Sequence, residues 1–152
     1  MNNTKPYSKQ LDSENNFLSV VLAFNFLIST GHYYYESNPL EQPQAFKDFD
    51  FTMLRSKDGK QVRIEVERKK SWKKSGEWEG FKTLDVPARK KDSKSDIFVM
   101  TNLNCDTLAV MKMKDVLQSP IYEKDTIYTK KELFFAVPLD KIKFVTMNWK
   151  TI

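Results

Sequence analysis

The most continuous apolar stretch of the chain lies near its start. From Phe17 to Ile28 every residue is hydrophobic except Ser19 and Asn25. Asp12 and Ser13 are good N-cap residue types, and Glu14 follows where a helix dipole favours negative charge. Gly31 is a natural C-terminal stop. The pattern predicts a helix over 13–30. Because it is apolar nearly all round, it is expected to lie against a sheet. The run is too short to span a bilayer, so no membrane partner is expected.

Residues 31–47, with Pro39 and Pro43, read as an irregular connection. Two alternating runs follow, FDFTMLR and QVRIEVERKK, on either side of Asp58-Gly59. That pair is a strong hairpin signal because both residues tolerate positive φ. Residues 71–95 read as a basic loop with room for one short strand. DIFVMTN and TLAVMKM then predict two strands joined by a turn at 103–106, followed by a short helix at 113–118 and a C-terminal strand pair, ELFFAVPL and KIKFVTMNW. One long helix and then a meander of strands predicts an α+β fold with a mixed sheet and the helix on one face. The length suits a single domain over 1–152.

A two-residue loop at Asp58-Gly59 would pair residues whose numbers sum to 117. Asp50 would then lie opposite Glu67, Thr52 opposite Glu65, and Asp48 opposite Lys69. Side chains alternate between faces along a strand. Phe49, Phe51 and Met53 would share a core face with Val62, Ile64 and Val66. The other face would gather Asp48, Asp50, Glu65, Glu67 and Lys69. Opposed like charges destabilise a strand pair by up to about 1 kcal/mol. A divalent cation held between Asp50 and Glu67 would remove that repulsion. Lys69 would orient a water or stabilise charge on a phosphate. The plain alternative is a solvated charged face on which Lys69 neutralises Asp48.

Charge adds a second clue. The net +5 is concentrated: residues 55–94 carry fourteen basic and seven acidic side chains, while residues 1–54 are net negative. A concentrated basic segment favours a polyanionic partner, although a Lys-rich soluble surface looks the same. Lys70, Trp72, Lys73 and Lys74 follow the hairpin at once, and Arg89, Lys90 and Lys91 follow Pro87. These are the candidate nucleic-acid contacts: cations for phosphates and an aromatic ring for stacking. Core packing is the competing role for Trp72 and Trp78. One cysteine, Cys105, and one histidine, His32, exclude a zinc cluster and an internal disulfide. A reducing, cytoplasmic setting is the natural reading.

At Asp50 and at Glu67-Arg68-Lys69 the chain resembles the PD-(D/E)XK nuclease superfamily, over about residues 12–102. In that pattern an acid on one strand is followed, across a hairpin, by acid-x-lysine. No proline precedes Asp50, and Glu65-Val66-Glu67 offers an overlapping choice of ligand. The resemblance implies a restriction-endonuclease-like fold with a three-layer core. It implies a magnesium (or manganese) dependent nuclease, with Asp50, Glu67 and Lys69 catalytic and Asp50, Glu67 and Glu65 on the metal. Glu14 matches the extra helical carboxylate that some members use. The implied partner is nucleic acid, DNA rather than RNA, and a homodimer is open. The rival expectation is a non-catalytic module on the same fold that binds nucleic acid or another protein.

Overall fold

A computed structural model describes residues 9–35, 50–78, 82–126 and 130–147, with the backbone alone for 9–16. Helix α1 spans Lys9–Ser29. It starts earlier than the capping residues suggest, so Asp12 and Ser13 lie inside it. Its end falls where expected: the Gly31 N–H donates to the Ile28 carbonyl at 3.1 Å, and Gly31 has φ +75°. Only glycine takes that conformation without cost.

Six strands form a mixed sheet in the order β1-β2-β3-β5-β6-β9. They are β1 (Tyr33–Tyr34), β2 (Phe51–Arg55), β3 (Gln61–Arg68), β5 (Ile97–Thr101), β6 (Thr107–Lys112) and β9 (Lys143–Thr146). All neighbours are antiparallel except β3 and β5. A parallel pair needs a long crossover, and residues 69–96 make it. That crossover contains β4 (Thr83–Pro87) and a 3-10 turn at Ala88–Asp92. After the short helix α2 (Met113–Leu117) come β7 (Ile121–Lys124) and β8 (Glu132–Pro138). These two join β4 in a second sheet, ordered β4-β8-β7. The fold is α+β.

The first sheet separates two cores. On one face α1 contributes Val20, Leu22, Ala23, Phe26 and Leu27, which pack on Phe51, Met53, Val62, Ile64, Val66, Ile97 and Val99. On the other face Phe98, Met100, Ala109 and Met111 meet Leu84, Val86, Phe135 and Val137 of the second sheet, with Trp72 and Val116. Each fully buried large side chain of this kind stabilises by about 1.5–3 kcal/mol.

Two expectations are corrected. The C-terminal strands are not a pair: β8 lies in the second sheet, whereas β9 returns to β6. The hairpin is also offset. Phe51 lies opposite Ile64 and Thr52 opposite Arg63. The loop therefore holds four residues, Ser56 to Gly59, closed by the Gly59 N–H on the Arg55 carbonyl at 2.7 Å. The Asp58 carboxylate accepts from the Arg55 guanidinium at 2.7 Å and from the Lys60 N–H at 3.1 Å. The Arg55 bond, then the Lys60 bond, hold its carboxyl down at about 2. A longer loop closed from within by its own aspartate moved the register by two residues. An even shift keeps every side chain on its face, so the predicted core face survives among the described residues. Asp48 and Phe49 lie outside them, as does the Glu14 side chain.

Candidate active site

Strand β3 turns Ile64 and Val66 toward α1. It therefore turns Glu65 and Glu67 to the opposite face, beside Phe98 and Met100 of β5. Here the acids meet the second sheet and the 3-10 turn, not open solvent. Glu65 is only 7% exposed. Its Oε1 accepts from the Ser93 hydroxyl at 3.1 Å and from the Ser95 hydroxyl at 3.5 Å. Lys90 Nζ lies 2.6 Å from Glu65 Oε2. Burial alone would lower the pKa of Lys90, but the charges of Glu67 and Glu65 outweigh it and raise it.

Glu67 is held more loosely. Its Oε1 lies 3.4 Å from the Arg89 guanidinium, which also reaches Glu132 Oε1 at 3.2 Å. The Arg89 side chain is 59% exposed, so this bridge contributes little, about 0–1 kcal/mol. The Glu67 Oε2 atom is buried and has no hydrogen-bond partner among the described residues. A buried carboxylate oxygen without a donor is costly.

Lys69 continues the same face two residues on. Its backbone N–H bonds the Thr101 carbonyl at 2.8 Å, which fixes the strand end. Burial, and then the nearby Lys124 ammonium, push its pKa down, against the pull of Asp85 and Glu67. Lys124 comes from β7 and sits 2.6 Å from Asp85 Oδ2 on β4. Burial, and then the Asp85 carboxylate, raise the Tyr122 hydroxyl above its ordinary value. Asp85, Tyr122, Lys124 and Glu132 thus belong to the polar cluster around Glu67 and Lys69. Sequence reasoning missed all four. They come from three strands, β4, β7 and β8, of which β7 had no local signal that distinguishes it from a loop.

The expected clamp of Asp50 against Glu67 does not form. Asp50, one residue before the Phe51–Ile64 pair, donates its N–H to the Ile64 carbonyl at 2.9 Å. Its Oδ2 accepts the Val66 N–H at 2.6 Å, tying its carboxylate to the backbone of β3. Among the described residues no group of three or more His, Cys, Asp or Glu side chains converges as a metal cage. The two-carboxylate set of Glu65 and Glu67 still suits a hard cation, because magnesium takes one or two carboxylates and keeps water. The orphaned Glu67 Oε2 is the atom that fits such an ion.

The basic segment divides into three groups. Lys70, Lys73, Lys74 and Lys91 are exposed, as a nucleic-acid contact requires. Arg89 and Lys90 face the acids instead. Trp72 is 1% exposed and packs in the second core. Its indole N–H donates to the Glu77 carbonyl at 2.8 Å, so it has no free face for a base. Trp78 is half-buried edge-on against it, with ring centroids 5.3 Å apart.

No family model, curated protein or solved structure matches this chain. Among the described residues no helix is long and apolar enough to cross a membrane.

Proposed function

We propose that the protein is a metal-dependent nuclease of the PD-(D/E)XK type that hydrolyses phosphodiester bonds in nucleic acid, DNA in preference to RNA. The observation that carries this reading is the face of β3. Glu65 and Glu67 project from it with Lys69 just past its end, and Glu67 keeps a buried oxygen without a donor among the described residues. The chain order supports it: a helix, an antiparallel hairpin, a crossover, and then a strand parallel to the motif strand.

Glu67 and Glu65 would hold magnesium or manganese, with Asp50 steadying β3 from the neighbouring strand. The bound ion would supply Lewis-acid polarisation of a phosphoryl oxygen and a water of lowered pKa. Lys69 orients the attacking water and stabilises negative charge that develops on the phosphate. Lys90 must yield Glu65 for that carboxylate to turn to an ion. Lys70, Lys73, Lys74 and Lys91 contribute salt-dependent affinity for the strand.

The contact between Lys90 and Glu65 favours one other reading. A carboxylate already neutralised by a tethered ammonium suits a non-catalytic module that binds nucleic acid on the same scaffold. Cleavage of plasmid, single-stranded and branched DNA separates the two, run with Mg²⁺ or Mn²⁺, with EDTA, and with Glu67→Ala. Metal-dependent cutting lost in the variant upholds the nuclease. A salt-sensitive gel shift without cutting on any substrate replaces it with the binding module.

A further inference from the structure

The crossover turn sets two cations against the acids of β3. Lys90 Nζ lies 2.6 Å from Glu65 Oε2. One residue earlier, the Arg89 guanidinium spans Glu67 Oε1 at 3.4 Å and Glu132 Oε1 at 3.2 Å. Each proposed ion-binding carboxylate thus carries a tethered positive charge. A divalent cation on the same carboxylates would repel both side chains.

The turn can give up these contacts without unfolding. Its backbone is anchored on both sides: Val86 and Ala88 are buried in the second core, and the Asp96 N–H donates to the Arg63 carbonyl at 2.8 Å. Within Ala88–Asp92 only Ala88 is buried. Lys90 reaches Glu65 on a flexible four-carbon stem, which can swing while the backbone stays in place. Glu65 does not depend on Lys90 for its aim. Its Oε1 accepts from the Ser93 hydroxyl at 3.1 Å and from the Ser95 hydroxyl at 3.5 Å. Departure of Lys90 would leave Glu65 Oε2 bare, on the same face of β3 as the buried Glu67 Oε2.

A released ammonium needs a new anion. Arg89 is 59% exposed, and Lys91 beside the pair is exposed as well. A strand that reaches this turn meets three consecutive cations. We propose that Arg89 and Lys90 are exchangeable counter-ions: they neutralise the acids in the free protein and pass to strand phosphates when a divalent ion takes the acids. Metal and strand then bind with positive coupling, each raising the affinity for the other by the same factor. The proposal rests on the nuclease reading for the identity of the ion and the strand, and adds to it the regulation of the site.

The test measures binding, not cleavage. The probes are Mg²⁺ and a short phosphorothioate oligothymidylate that resists hydrolysis, at fixed ionic strength. They are titrated into the full chain, into Lys90→Gln, and into Lys114→Met as an exposed control. Competition for phosphates alone makes Mg²⁺ weaken an oligonucleotide complex. In the wild type and in Lys114→Met, Mg²⁺ is expected instead to tighten it about tenfold, and the oligonucleotide to tighten Mg²⁺ binding equally. Lys90→Gln is expected to bind Mg²⁺ more tightly by itself and to show a clearly smaller coupling. Equal coupling in the wild type and in Lys90→Gln would assign it to an ion that bridges carboxylate and phosphate, and overturn the exchange. Amine acetylation of the unaltered chain, read against Lys114, removes any dependence on the variant's folding. Lys90 is expected to react slowly in the free protein, faster in saturating Mg²⁺, and slowly again once the oligonucleotide is added. A rate untouched by Mg²⁺ overturns the exchange. Absence of Mg²⁺ binding, with and without oligonucleotide, overturns the exchange and the nuclease together. If unmodified DNA is cut and no coupling is found, the exchange fails and the nuclease stands. If coupling is as expected and nothing is cut, the exchange stands and the nuclease fails.

Discussion

Lys90 Nζ and Glu65 Oε2 meet at 2.6 Å, the ammonium from the crossover and the carboxylate from the strand that the crossover leaves. Both side chains are largely out of solvent, and hydroxyls from Ser93 and Ser95 complete the Glu65 shell. Removing one partner of a buried pair leaves an uncompensated charge, which costs about 3–5 kcal/mol at full burial. Lys90 is 22% exposed, so Lys90→Met is expected to lose somewhat less, about 2–3 kcal/mol. Urea unfolding at neutral pH measures this. Added Mg²⁺ or Mn²⁺ is then expected to raise the midpoint of the variant more than that of the wild type. Equal metal effects on both would separate Lys90 from any ion site. The raised pKa of Lys90 gives the sign with pH. Its stabilisation is whole below the ordinary value of 10.5 and is lost only as pH climbs through the higher folded value.

Glu67→Gln separates chemistry from stability. The lost bridge to the exposed Arg89 is weak, and the buried Oε2 has no donor among the described residues to lose. Stability is expected to change by no more than about 0.5 kcal/mol, while metal-dependent cleavage falls to background. Full cleavage by a pure, folded Glu67→Gln protein would take Glu67 out of the mechanism.

Trp72 is a core residue, and the test of that is energetic. Trp72→Ala is expected to cost about 3–5 kcal/mol through the cavity it leaves between the sheets. Trp72→Phe is expected to cost less and to bind DNA as tightly as the wild type under conditions where both are folded. A selective loss of DNA affinity in a stable Trp72→Phe protein would return this ring to the binding surface.

The loop that carries Lys73 and Lys74 is pinned at the β5–β6 turn. Asn102 Nδ2 donates to the Lys74 carbonyl at 3.1 Å and to Asp106 Oδ1 at 2.7 Å. The Ser75 hydroxyl donates to Asp106 Oδ2 at 2.6 Å. Burial alone would raise the carboxyl pKa of Asp106, but the bonds from Ser75, Asn102 and Thr107 outweigh it and lower it. A depressed carboxyl contributes stability above its ordinary value of 3.8, lost as pH falls through the lower folded value. Near-ultraviolet dichroism of the tryptophans is expected to report that loss in the wild type. In Asp106→Asn the same acid transition should shrink. An identical transition in both would assign the acid sensitivity to other carboxylates.

The sequence by itself determined the elements whose information is local. Period-two alternation put Phe51, Met53, Val62, Ile64 and Val66 on one face and Glu65 and Glu67 on the other. That assignment withstood a register error, because a shift of two residues leaves the faces unchanged. The apolar run from Phe17 to Ile28 and the stop at Gly31 likewise marked the body and end of α1. What only the tertiary structure decided is which charges meet. The turn at Ser56–Gly59 closes through Asp58 and Arg55, and Asp50 bonds the backbone of Ile64 and Val66 instead of facing Glu67. The pairing of β4 with β8 joins segments about fifty residues apart, for which no local pattern exists. That pairing, with β7 on the other side of β8, brought Lys124 against Asp85, while the crossover seated Arg89 and Lys90 over the acids. Alternation fixes a side chain's face within its own strand. Its partners across space depend on long-range packing, in which burying Phe98, Met100, Phe135 and Trp72 in one core draws the polar groups at its edge together.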